Sequence, residues 1–156
     1  MRIENSFHVP VPREQAWDLL TDVSKVASCL PGAKLTEAGG DGRYRGELGV
    51  KLGPVSMTFL GEMRFTELNA QAGHAVAEAS AREARNRGSA DATIDFALSD
   101  LEDGTQVDIA TDLTLAGHAA QYGRSAGVLK KVSEFMIGRF AQCLRKRVAE
   151  SQAGSP

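Results

Sequence analysis

From residue 44 to residue 117 the chain largely alternates apolar and polar positions, and this period of two predicts antiparallel strands with one buried and one wet face. In YRGELGVKL, Tyr44, Gly46, Leu48, Val50 and Leu52 share one face while Arg45, Glu47 and Lys51 share the other. VSMTFLGEMRF repeats the pattern, with Val55, Met57, Phe59, Met63 and Phe65 opposite Ser56, Thr58, Glu62 and Arg64, and Gly53 and Pro54 make the turn between the two runs. ATIDFAL alternates Ala92, Ile94, Phe96 and Leu98 with Thr93 and Asp95. TQVDIATDLTLAG alternates Val107, Ile109, Leu113 and Leu115 with Gln106, Asp108 and Asp112, and EDGT at 102–105 is a hairpin turn between them. IENSFHV, residues 3–9, reads as a first strand. After it, Pro12 opens a short helical pair whose apolar Ala16, Leu19, Leu20 and Val23 recur at helical spacing, with Trp17 closing that face. From about Gln121 the period lengthens. Val128, Leu129, Val132, Phe135, Met136, Phe140, Leu144 and Val148 form the stripe of an amphipathic helix of roughly 25 residues.

These elements predict an α+β domain in the helix-grip arrangement, a curved antiparallel sheet wrapped around a long C-terminal helix. The length of 156 residues suits one core, so residues 1–150 are read as a single domain and 151–156, SQAGSP, as a loose tail. With 18 basic and 20 acidic residues the formal net charge is −2, which argues against bulk nucleic-acid binding. Cys29 and Cys143 match no metal or redox spacing, and reduced thiols in a cytoplasmic protein are expected. No apolar signal-peptide core opens the chain, and no run approaches the roughly 18 apolar residues of a membrane span, so any membrane contact is expected to be peripheral, at the inner face of the cytoplasmic membrane.

Several features bear on whether sheet and helix enclose a cavity. HAVAEASA places Ala75, Ala77, Ala79 and Ala81 on one face, which either admits the helix closely or leaves space. Gly46, Gly49 and Gly61 remove further side-chain volume or serve as bends in curved strands. The candidate walls are Trp17, Leu48, Val50, Met57, Phe59, Met63, Phe65, Ile94, Phe96, Val132, Phe135 and Met136. They are apolar and, through the methionines, adaptable, a character equally suited to an ordinary core. CLPG, residues 29–32, is apolar where polar turn residues are usual. Leu30 and Pro31 either form a lip of the cavity mouth or tuck into the core and stop the helix. Gln121 and Tyr122, at the expected start of the long helix, either offer free N–H groups to a head group or make an ordinary helix start.

Catalytic signals are weak. His8, His74 and His118 share no ligand spacing, and no phosphate loop, dinucleotide fingerprint or nucleophile elbow occurs, so neither a metal nor a covalent cofactor is expected. The acidic residues fall on wet faces, which leaves Tyr44, Tyr122 and His118 as acid–base candidates for a cyclase-like or dehydratase-like alternative. The last helix is basic. Arg124, Lys130, Lys131, Arg139, Arg145, Lys146 and Arg147 face only Glu134 and Glu150, a pattern that suits an anionic membrane or an acidic partner and equally a helix dipole. Arg82, Arg85 and Arg87 mark either a partner-facing loop or a solvated hairpin tip.

PREQAWDLLTDVSKVASCLPGA, YRGELGVKLGPVSMTFLGEM and GHAAQYGR, in that order, resemble the family of the carbon monoxide dehydrogenase subunit CoxG, within the polyketide cyclase and START-like (SRPBCC) superfamily. The resemblance covers roughly residues 1–150. Its motifs fall on Cys29, Leu30, Pro31 and Gly32, on Val50, Lys51, Gly53 and Pro54, and on Ala120, Gln121 and Gly123. It implies a helix-grip domain with an apolar cavity, and an accessory role in recruiting a molybdenum-containing carbon monoxide dehydrogenase or related hydroxylase to the cytoplasmic membrane. A respiratory quinone or lipid is then the expected guest; a ligand-free assembly factor is the remaining alternative. Two departures stand out: family members often continue into a linker and an apolar C-terminal segment, and they tend to be glycine-rich where this chain has Arg82, Glu83, Arg85 and Arg87.

Overall fold

The computed structural model describes residues 1–123 and 127–153. In chain order its elements are β1 (Arg2–Val9), α1 (Arg13–Thr21), α2 (Val23–Cys29), β2 (Ala33–Ala38), β3 (Arg43–Leu52), β4 (Val55–Asn69), β5 (His74–Glu83), β6 (Ser89–Leu101), β7 (Gly104–Ala116), α3 (His118–Gly123) and α4 (Val128–Ala153). The strands form one antiparallel sheet in the order β1-β7-β6-β5-β4-β3-β2. The helix-grip fold expected from the alternation is what forms. From β3 to β7 the charged positions lie mainly on the outer face and the apolar positions turn mainly toward the helices, with Glu83, at the end of β5, a buried exception. In β2 the alternation is disturbed by a register shift between Leu35 and Glu37, which is why this strand is faint in the sequence.

The helical pair is divided at Asp22, whose side chain accepts a hydrogen bond from the Lys25 amide (3.3 Å) and so caps α2. The long helix differs from expectation at both ends. The helix is expected from about Gln121, but residues 118–123 form the separate α3, and α4 begins at Val128, the first residue of the apolar stripe, behind Gly127, which has φ +87°. Gln121 and Tyr122 therefore lie within α3 and not at the start of the long helix. At the other end α4 continues through Ala153, three residues into the segment expected to be a tail; residues 154–156, like Arg124, lie outside the described residues.

Packing against the concave face is uneven. One cluster joins Phe7, Val9, Leu20, Phe96, Leu98 and Val107 to the C-terminal half of α4 through Phe140, Ala141, Leu144 and Val148. Within it, Phe7 and Phe140 meet edge to face, with centroids 5.9 Å apart. A second, smaller cluster at the other end of the sheet gathers Leu52, Met57, Phe59 and Ala119 around Leu129, at the start of α4. Leu48, Met63, Ala79, Ala92 and Ile94 lie on the same concave face, are half-buried, and belong to neither cluster.

Cys29 and Cys143, expected as reduced thiols, are joined in a disulfide that spans 114 residues. The pairing follows from the docking of the end of α2 on α4, a tertiary contact that local cysteine spacing does not encode. Closing so long a loop restricts the unfolded chain, so reduction, or Cys143→Ser, is expected to lower the unfolding free energy by about 2–4 kcal/mol. Guanidinium titration with and without a dithiol reductant measures this, and coincident midpoints would show that the two thiols do not pair in solution.

Candidate functional site

The three residues that follow the disulfide cysteine shape the site. Leu30 ends α2, its amide bonded to the Val26 carbonyl (3.0 Å), and its half-buried side chain joins the larger core cluster. Pro31 and Gly32 instead turn out to the surface against β3. Gly32 has φ +80°, and a Cβ there would sit 2.2 Å from the Gly49 carbonyl oxygen, so only glycine fits without displacing backbone. The contact is closed by the Gly49 amide, which donates to the Gly32 carbonyl (2.8 Å). CLPG thus divides between the two readings open to it, with Leu30 in the core and Pro31 and Gly32 at a rim.

That rim borders a pocket of about 790 Å³ between the β3–β4 hairpin and the N-terminal half of α4. Its walls are Gly49, Val50, Met57, Val128, Val132, Phe135 and Met136, and Lys51, Gly53, Ser56, Thr58 and Lys131 complete its edge with Pro31 and Gly32. Of the residues nominated as cavity walls, Pro31, Val50, Met57, Val132, Phe135 and Met136 are brought together here. Phe59 is buried in the smaller core cluster, while Trp17, Leu30, Phe65 and Phe96 belong to the larger one, where the Trp17 and Phe96 rings lie 6.2 Å apart. Leu48, Met63 and Ile94 occupy the half-buried stretch between the clusters. Gln121 is exposed on α3 away from the pocket lining, and the Tyr122 side chain lies outside the described residues. Missing from the nominated walls were Gly49 and Val128, and also Gly32, Lys51 and Gly53, although CLPG and the Val50–Pro54 turn, two of the three motif stretches, carry the last three and converge on this rim.

The alanine row resolves in the same way. Ala75 and Ala77 are fully covered, whereas Ala79 and Ala81 are half-buried, so the row admits close packing at one end and leaves space at the other. Gly46 and Gly61 face each other in register, and a Cβ on either would collide with the neighbouring strand, at 2.5 Å from the Lys34 oxygen or 2.2 Å from the Ser80 oxygen. They serve as bends in crowded strands, and of the three strand glycines Gly49 faces the pocket. A second groove, of about 680 Å³, is centred on the outer face. Its Arg45 pairs with Glu37 and Glu62 (3.7 and 3.8 Å) and its Asp91 accepts from the Ser80 hydroxyl (2.7 Å), so it reads as solvated surface.

One carboxylate at this end of the sheet, noted in the sequence only as a departure from the glycine-rich pattern, is buried and paired. Glu83 is 2% exposed. It accepts from Arg87 Nε (2.9 Å) and Nη2 (3.1 Å) and from the amides of Arg85, Arg87 and Thr58. Arg87 also donates to the Ser56 carbonyl (2.9 Å), which ties the β5–β6 loop to the pocket edge. Arg87 is therefore a structural clasp, not a solvated hairpin charge. Its hydrogen bonds, opposed by desolvation and aided by the three amides, lower the Glu83 pKa from 4.5 to about 2. The candidate acid–base groups are placed differently: His118 is exposed and Tyr44 half-buried, and neither lines the pocket.

With the pocket and fold in view, comparison with known proteins is informative. The family model for the carbon monoxide dehydrogenase subunit CoxG matches residues 6–149. The chain belongs to the CoxG family. A search of curated proteins finds no match. Among solved structures, a conserved protein from Geobacillus kaustophilus superposes with a TM-score of 0.82 at 21% identity, over 97% of each chain. The ZhuI aromatase/cyclase from Streptomyces sp. R1128 superposes at 0.68 with 15% identity, over 100% of this chain and 99% of that one. A protein from Thermus thermophilus superposes at 0.65 with 14% identity, over 99% and 100%. At these identities the structures establish the shared fold.

Two measurements follow from the CoxG site. Ala79→Leu fills space and is expected to change stability by less than about 1.5 kcal/mol, whereas Ala77→Leu, one row into the packed end, overpacks and costs about 1–3 kcal/mol. Equal costs in thermal melts would mean that Ala79 faces no space. For Glu83 the sign follows from its lowered pKa: the stability it contributes is fully present above pH 4.5 and is lost as pH falls to about 2. Glu83→Gln should therefore unfold more readily than the unaltered chain at pH 7, with the gap closing between pH 4.5 and 2; a gap independent of pH would exclude the ionised pair as its source.

Proposed function

We propose that this CoxG protein is an accessory ligand carrier that binds a lipophilic small molecule, a respiratory quinone or a lipid, and brings a molybdenum-containing carbon monoxide dehydrogenase or related hydroxylase to the cytoplasmic membrane. The observation that carries the reading is the apolar pocket between sheet and helix. Its volume of about 790 Å³ lies within the roughly 300–1,000 Å³ of small-molecule sites, and its lining combines Val50, Met57, Val132 and Met136 with few polar groups. Such walls favour a guest by area and not by directed hydrogen bonds, and methionines adapt to irregular shapes. Family membership supports the association with the dehydrogenase. Among the described residues no helix is long and apolar enough to cross a membrane, which is compatible with contact made from the surface.

A cyclase-like enzyme in the same fold would need an acid or base directed into the pocket. Among the described residues the ionisable side chains on its lining are Lys51 and Lys131, both exposed at the edge, an arrangement better suited to a surface than to proton transfer on an enclosed substrate. Native mass spectrometry of protein purified gently from its own host, followed by organic extraction, tests the carrier. A stoichiometric lipophilic mass is expected. Protein that carries none and fails to take up added quinone or lipid would leave partner docking alone as the function.

A further inference from the structure

We propose that the pocket rim is itself a membrane-docking face, with Phe135 as the inserting side chain and Lys51, Lys131 and Arg139 as contacts to anionic phospholipid head groups. The inference rests on the carrier reading and specifies the surface through which the guest is exchanged.

Phe135 is 57% exposed although it lines an apolar pocket. A large apolar side chain at such a position is unfavourable in water and stabilising in the interfacial layer of a bilayer. Around it the charge is mostly of one sign. Lys51 and Lys131 line the same pocket and are exposed, one from the hairpin and one from the helix. Arg139, one turn beyond Phe135, holds its guanidinium 5.5 Å from the ring centroid. Lys131, Phe135 and Arg139 follow one another at four-residue spacing and so share one exposed side of α4, with Glu134 as the acidic neighbour. Farther along α4 a cation serves the fold instead. Arg145 donates to the His8 carbonyl (2.9 Å), which fastens α4 to β1.

An acidic protein surface would satisfy the lysines and leave Phe135 in water unless it also supplied an apolar socket. A bilayer supplies anionic phosphate and an apolar interior in one layer. It also lets a poorly soluble guest pass between membrane and pocket without crossing water.

Vesicle flotation tests the proposal, using phosphatidylcholine vesicles alone or with about 30 mol% phosphatidylglycerol, which supplies the negative surface potential that attracts basic side chains. The intact protein should float with the anionic vesicles, and less so as salt rises. Lys131→Glu and Lys51→Glu should each weaken partitioning by about tenfold, while Arg147→Glu, the same change of charge near the far end of α4, should have a much smaller effect. Phe135→Trp should shift its emission to the blue on vesicle binding, read against the Trp17 background. Equal losses from Arg147→Glu and the rim reversals, or emission unmoved by vesicles, would overturn the rim as the docking face, and binding to an acidic protein but not to vesicles would replace it. Guest retention is measured on the unaltered chain without vesicles. A guest without rim-dependent flotation sinks this proposal and leaves the carrier standing; rim-dependent flotation without a guest does the reverse.

Discussion

Close packing is the constraint around which this domain is organised, because an apolar region that side chains do not fill is unfavourable unless its walls are held apart. The walls here are held by unequal treatment of one helix. The C-terminal half of α4 is fixed by Phe140, Ala141, Leu144 and Val148, by the Cys29–Cys143 disulfide and by the Arg145 bond to β1. Its N-terminal half meets a few residues around Leu129. On the concave face the sheet presents Ala79 and Ala92, in register with each other, half-buried and part of neither cluster. The core is consequently divided in two, and the pocket opens beside the smaller part.

Fixing one end of α4 allows the other to border a pocket without loss of definition, because the facing elements have their own ties. The Gly32–Gly49 amide contact sets the rim on one side, and the Glu83–Arg87 pair, through Ser56, sets the hairpin edge on the other. Asn5 adds a polar link across the sheet, donating to the Ser133 hydroxyl (2.6 Å) from β1 to α4. These are backbone and charge-assisted bonds, directional where the apolar lining is not. The arrangement lets the shape of the opening be specified while the interior stays adaptable.

The features that periodicity expresses are legible in the chain itself: the long strands, the helical pair and the stripe of the last helix. What escaped depends on contacts between distant segments. Cys29 and Cys143 meet because α2 ends on α4. Glu83 sits at a strand end among arginines, so by composition it resembles surface charge, and only the curl of the β5–β6 loop brings the Arg85 and Arg87 amides to it beside that of Thr58 from β4. The break before Val128 lies at Gly127, whose positive φ is a backbone property open to a residue without a Cβ and not one that apolar spacing reports. At the pocket, apolar residues proved to be of three kinds, core at one end, core at the other, and wall. The three share the same alternation, which reports the face of a strand and not what lies above it. The rim glycines were visible as motif residues, but their spatial convergence was not.

The uneven seating of α4 also has a consequence for its dynamics. A helix fixed at one end and lightly held at the other should open in segments, with amide hydrogens near Val128 exchanging through local fluctuations and those around Leu144 awaiting something close to global unfolding. The element that borders the pocket then belongs to the less protected part of the molecule, so a guest could be admitted by small excursions of two or three helical turns while the fold beneath them stays intact.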